Sequence, residues 1–150
     1  MFGTSVDTLF AVCNAAVVPA WLLLAVAPGW IWTRRIVHSA LYPLALGAVY
    51  AAGFATLGPA PEGGGFGTLR GVMTLFTVPQ LVLVGWVHYL VFDLFVGAWE
   101  VRDAQRRGIR HLLVIPCLAL TFAFGPLGLL LHLALRWALR REVSLEEATA

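Results

Sequence analysis

The chain has 150 residues, of which 60% are hydrophobic and only 12% charged, and its formal net charge is +2. Soluble domains carry about 25% charged residues, so this composition excludes an ordinary water-soluble fold, and the scattered arginines, with no lysine among them, give no footprint for nucleic acid. The expectation is one all-α domain, an integral membrane four-transmembrane-helix bundle.

A membrane crossing needs about 20 consecutive apolar residues, and four segments qualify, at 6–27, 36–57, 77–99 and 111–135. The first carries Asp7 at its edge and Asn14 and Pro19 inside, and it stops at Pro28-Gly29 before Trp30 and Trp32, which suit the interfacial belt. Ala25-Val26-Ala27 has the small residues of a signal-peptide cut, yet no Lys or Arg precedes the run and Pro28 follows it. It is therefore read as a retained span.

The second span opens with His38, Ser39 and Tyr42 and continues through small residues such as Gly47 and Gly53 that permit close helix approach. Glycine and proline dominate 58–67, a loop. A short helix is expected over 68–77, with Pro79 turning the chain into the third span. That span is expected to run out into a polar loop at 100–110.

Arg34, Arg35 and the four arginines of that loop make six on one face, against Arg70, Arg136, Arg140 and Arg141 on the other. By the positive-inside rule both termini then lie outside. In the fourth span Thr121, Gly125, Gly128 and His132 share one helical face, extended by Cys117 and Arg136. Pro126 deprives the Phe122 carbonyl of its helical partner. Cys13 and Cys117 fall inside spans and are read as small packing residues.

An ionisable group deep in a span survives only when it is paired, buried or facing a wet cavity. His88 and Asp93 meet that description in the third span, with Tyr89 on the Asp93 stripe and Trp86 at its flank. They are the candidate catalytic pair, an acid and a base, although five residues at 100° set them about 140° apart. Tyr42, Trp86, Tyr89, Thr121, Gly125 and His132 are the candidate ligand-binding residues around them. The plainer alternative makes Asp93 helix glue, meeting Asn14, Tyr42 or Arg136 across the bundle. No metal site or cofactor is predicted; haem or chlorin ligation by His88 and His132 is the weaker alternative.

The run WVHYLVFDLFVG from Trp86, followed by Trp99-Glu100, then PCLALTF from Pro116 and GPLGLL from Gly125, resembles the abscisic-acid-deficient-four-like family of membrane proteins, its bacterial members most closely. The resemblance covers nearly the whole chain and implies a bacterial inner-membrane protein. Plant members are associated with neoxanthin synthesis, in which a violaxanthin epoxide becomes an allene and an alcohol. It therefore implies a carotenoid or other isoprenoid ligand, and an isomerase-like activity with Asp93 and His88 as proton carriers.

Two functions follow from residues and resemblance together. One is an isomerase acting on a carotenoid or other long apolar molecule held in a pocket within the bundle. The other is a non-catalytic pigment- or lipid-binding subunit of a larger membrane complex or homo-oligomer. Membrane lipids are partners under both.

Overall fold

The computed structural model describes residues 5–146, and among these the chain is entirely helical. Helix α1 spans Val6–Val26; it starts where the Ser5 hydroxyl accepts the Thr8 amide at 3.1 Å and ends before Pro28-Gly29. A one-and-a-half-turn helix, α2 (Ile31–Ile36), follows, and the buried Thr33 hydroxyl fastens this turn by donating to the Ala27 carbonyl at 2.7 Å. Helix α3 runs over Leu41–Ala55, so His38 and Ser39 sit in the break between α2 and α3 and not inside a continuous span.

The glycine- and proline-rich stretch is a loop, as expected. Thr68 closes it by capping the short helix α4 (Leu69–Leu75) through a 3.0 Å bond from the Gly71 amide. Pro79 opens α5, which runs without interruption to Arg106. Twenty-eight residues at 1.5 Å each make a rod of about 42 Å. The polar residues 100–106, expected in a loop, therefore belong to the helix, and Glu100 and Asp103 are buried in it.

Helix α5 is the axis of the fold; α1, α3, α6 and α7 all pack on it. The contacts allow close approach: a side chain at Gly97 would meet the Trp21 ring at 2.6 Å, and one at Gly53 would meet Val84 at 3.0 Å. Helix α1 runs parallel to α5, with Asn14 level with Trp86. Helix α3 runs antiparallel, with His38 level with Arg102 and Tyr50 level with His88.

The expected fourth span, 111–135, is two helices. Helix α6 (His111–Phe124) stops at Gly125, whose φ of 49° lies in the left-handed region that glycine tolerates, and Pro126 starts α7 (Pro126–Arg140) in a new direction. Along α6 the partners on α5 move from its C-terminal end to its middle: His111 starts beside that end, Thr121 bonds to Glu100, and Gly125 abuts Asp93. Along α7 they move back again. His132 and Arg136 reach Asp103, and the Arg140 guanidinium donates to the Gly108 carbonyl at 2.7 Å.

The pair is thus a helical hairpin lying along one half of α5, with its tip at the midpoint. Its arms have 14 and 15 residues, about 21 and 22 Å, short of a hydrocarbon core about 30 Å thick. Close packing of the arms is possible because Gly128 presents only a hydrogen to Thr121 and the Cys117 carbonyl.

This geometry gathers charge. The α2 turn, the end of α5, the start of α6 and the end of α7 all lie at one end of the bundle, and with them Arg34, Arg35, Arg102, Arg106, Arg107, Arg110, Arg136, Arg140 and Arg141. Arg70 lies at the opposite end, with the start of α1. The end of α7 and the start of α1 are therefore at opposite ends, where the sequence reading had placed both termini on one face. That reading took 111–135 as a full crossing.

Three helical stretches are long and apolar enough to cross a membrane: Val6–Val26, Ile31–Ala55 and Pro79–Arg106. Large side chains such as Leu22, Leu44, Phe92, Phe95 and Leu130 are exposed around the outside. Soluble monomers rarely expose apolar surface on that scale; lipid solvates it at no cost.

Candidate functional site

Asp93 stands halfway along α5, where the hairpin tip meets it. A Cβ at Gly125 would come within 2.7 Å of Asp93 Oδ1, so the tip passes close to the carboxyl. Asp93 Oδ2 is buried and has no hydrogen-bond partner. One helical turn earlier, Tyr89 places its hydroxyl beside this carboxyl, close enough to act as its hydrogen-bond donor. That hydroxyl also lies 3.4 Å from the Phe122 carbonyl, the one that Pro126 was expected to leave free.

Aromatic rings pack behind Tyr89 toward the start of α5. Trp86 lies 5.3 Å from Tyr89 and 5.4 Å from Phe10, centroid to centroid, and its indole N–H donates to Asn14 Oδ1 at 3.1 Å. Two shallow apolar grooves start at the hairpin. One, of about 240 Å³ between α1 and α6, is lined by Trp21, Leu118 and Phe122; the other, of about 270 Å³ between α5 and α7, by Phe95, Trp99 and Leu129.

The remaining expected site residues are dispersed. His88 points to the opposite wall of α5, where its ring lies 4.6 Å from Phe92 and 6.0 Å from Tyr50, and it lines a separate small cavity with Phe54 and Phe76. It does not converge with Asp93, as their angular separation foreshadowed. Tyr42 ties α3 to α1 by donating to the Ala16 carbonyl at 3.0 Å. Thr121 and His132 are fully buried in the hairpin interface. No common central pocket joins these residues among those described; the space the sequence reading gave it is filled by Val17, Leu24, Val87, Leu94 and their neighbours.

The hairpin interface holds a second polar group that the sequence reading did not assemble. Asp103 accepts from Arg107 Nε at 2.8 Å and Arg136 at 3.2 Å, and it pairs with His132 Nε2 at 3.0 Å. Trp99 stacks edge-on to His132, 5.4 Å away. Glu100 accepts from the Thr121 hydroxyl at 2.9 Å, while its other oxygen is unpartnered. Outside the span, the hydrogen bonds that Arg107 donates to Asp103 and then to Glu142 hold its guanidinium more firmly protonated than an ordinary arginine. A signal was available: Asp93, Glu100, Asp103 and Arg107 follow i, i+7, i+10 and i+14, one face of a helix that does not stop at Glu100.

The arrangement therefore divides its labour. Asp103 takes bonds on both carboxylate oxygens and fastens the hairpin to α5, although His132 Nδ1, Arg136 Nε and Glu100 Oε2 around it have no partner among the described residues, whereas Asp93 keeps an oxygen in reserve at the hairpin tip. The sequence profile of the ABA DEFICIENT 4-like family matches residues 8–132, from the first turn of α1 to His132. The chain belongs to this family. Among curated proteins it is 26% identical over 141 residues to Protein ABA DEFICIENT 4, chloroplastic, of Arabidopsis thaliana, a match that covers 84% of this chain and 59% of that protein. The chain thus spans under two thirds of the length of that relative. No solved structure matches it significantly. The matched part of this ABA DEFICIENT 4-like chain contains Asp93, Tyr89, the hairpin tip and Asp103 alike.

Proposed function

We propose that this protein crosses the membrane three times, with α6 and α7 as a re-entrant hairpin, and that it binds a carotenoid or other long isoprenoid against the hairpin tip. The basic end faces the cytoplasm of a bacterial inner membrane, since nine arginines stand there against one; the N-terminus is then outside and the C-terminus inside. Family membership supports the ligand class, through the association of plant members with neoxanthin synthesis.

The observation that carries the reading is the unpartnered Oδ2 of Asp93 at mid-span. A buried polar atom without a partner is costly, and the apolar grooves and aromatic rings near the hairpin tip supply none for it. A long hydrocarbon with one oxygen function fits both features: the chain lies in a groove and the oxygen meets Asp93 and Tyr89.

The same carboxyl suits an epoxide-to-allene isomerisation without His88. Asp93 as the acid gives its proton to the epoxide oxygen as the C–O bond opens to an alcohol. The resulting carboxylate then takes the proton from the adjacent vinylic carbon, whose C–H electrons form the new cumulated double bond. The proton count closes, and no oxidant or second base is needed. Tyr89 holds the carboxyl in place.

The test is to purify the protein in mild detergent from its native membrane and extract its pigments for chromatography, alongside Asp93→Asn. A co-purifying carotenoid or isoprenoid that is lost or unconverted in the variant, with folding intact by circular dichroism, supports the reading. A colourless, isoprenoid-free protein, or one whose ligand and turnover ignore Asp93→Asn, overturns it.

A further inference from the structure

A further cavity lies elsewhere, at the basic end between α3 and α5, with a volume of about 310 Å³. It has two chemically different parts. Tyr42, Leu46, Val91, Leu94, Phe95 and Ala98 make an apolar wall along the helices. His38, Ser39 and Arg102 make a polar rim at the α2–α3 break.

The rim fixes its own protonation pattern. Arg102 carries only donors, so its approach to His38 Nδ1 at 3.1 Å makes Nδ1 the acceptor. In the neutral ring the proton then resides on Nε2, and that Nε2 is buried with no partner among the described residues. Buried donors are almost always satisfied; this one asks for an acceptor that those residues do not supply.

The field around it is positive. Arg102 is part of the rim, Arg34 is close enough to act on His38 electrostatically, and α3 begins at the cavity with its positive N-terminal end, where the Ser39 hydroxyl takes only the Leu41 amide. Within the cavity lining there is no carboxylate to oppose them. Tyr42 does not compete, because its hydroxyl is committed to Ala16.

We infer that this cavity is a binding site for an anionic phospholipid, its phosphate on Arg102 and the His38 Nε2 proton and one acyl chain along the wall from Tyr42 to Phe95. The position agrees with that occupant. The rim stands at the same end as the interfacial Trp30 and Trp32, and the wall runs from there toward the bundle's middle. The site is separate from Asp93, which faces the hairpin on another side of α5.

Native mass spectrometry of the detergent-purified protein tests this with dioleoyl phosphatidylglycerol against dioleoyl phosphatidylcholine, identical but for head-group charge. Charge-assisted hydrogen bonds predict a preference of roughly tenfold or more for the anionic lipid. Arg102→Gln and His38→Leu should each abolish that preference, and Arg110→Gln, exposed at the same end but outside the cavity, should retain it. Should Arg102→Gln fail to fold, His38→Leu alone decides. Equal retention of the two lipids, or a preference that survives His38→Leu, overturns the assignment. So does displacement of the anionic lipid by inorganic phosphate alone, which would mark a site for the free anion.

Discussion

Gly125 and Asp93, 32 positions apart, meet where the hairpin tip touches the middle of α5, leaving room for a hydrogen and not for a methyl group: a Cβ there would lie 2.7 Å from Oδ1 and 3.2 Å from Oδ2. The tip turn and the candidate acid are thus one structural unit.

Gly125→Ala should damage both at once. Its φ of 49° is strained for alanine, at about 1–2 kcal/mol, and the methyl group would displace the carboxyl. The expected result is a lowered midpoint of thermal unfolding in detergent together with loss of the isoprenoid ligand. Asp93→Gly on the same background should recover much of the stability but none of the ligand.

Asp103→Ala should be the more destabilising change in the hairpin interface. It leaves the buried Arg136 and Arg107 without their shared carboxylate, and breaking a buried ion pair from one side costs about 3–5 kcal/mol. Adding Arg136→Met should restore part of the loss, which a double-mutant cycle of unfolding free energies measures. Simple additivity of the two changes would contradict the cluster's role as a fastening.

Cysteine labelling decides the number of crossings. In a variant with Cys13 and Cys117 replaced, single cysteines at Ser5 and Ser144 should react with a membrane-impermeant maleimide from opposite sides of intact spheroplasts and inverted vesicles. Reaction from the same side would restore the four-crossing bundle.

His88→Phe should leave ligand and turnover within about twofold of the parent, a difference under roughly 0.5 kcal/mol, because the ring packs on Phe92 and Tyr50 away from Asp93. Chromatography of extracted pigments reads this directly. A loss as large as that of Asp93→Asn would return His88 to the site.

Much of this architecture was legible in the chain. The start of α1, the short α4 after the glycine loop, Pro79 as the head of α5 and the freed Phe122 carbonyl all follow from local rules of capping and proline sterics. The course of α6 and α7 did not, because apolar length alone cannot distinguish one crossing from two shorter arms. From the sequence, Pro126 is expected only to free the Phe122 carbonyl inside one span, and the pairings of His132 and Arg136 with Asp103 are what reveal a reversal. The Asp103 cluster was hidden for a related reason: charged residues at the end of a span look like a loop until helix periodicity is carried past Glu100.

Under the proposed topology, the depth of the hairpin makes the two leaflets unequal. In the one on the basic side, α5 is flanked by both arms; in the other, past Asp93, α6 and α7 give it no cover, and Trp86 is 37% exposed. In that topology a hydrophobic molecule in the second leaflet would approach the hairpin tip sideways, past Phe10, Trp86 and Tyr89, without crossing water.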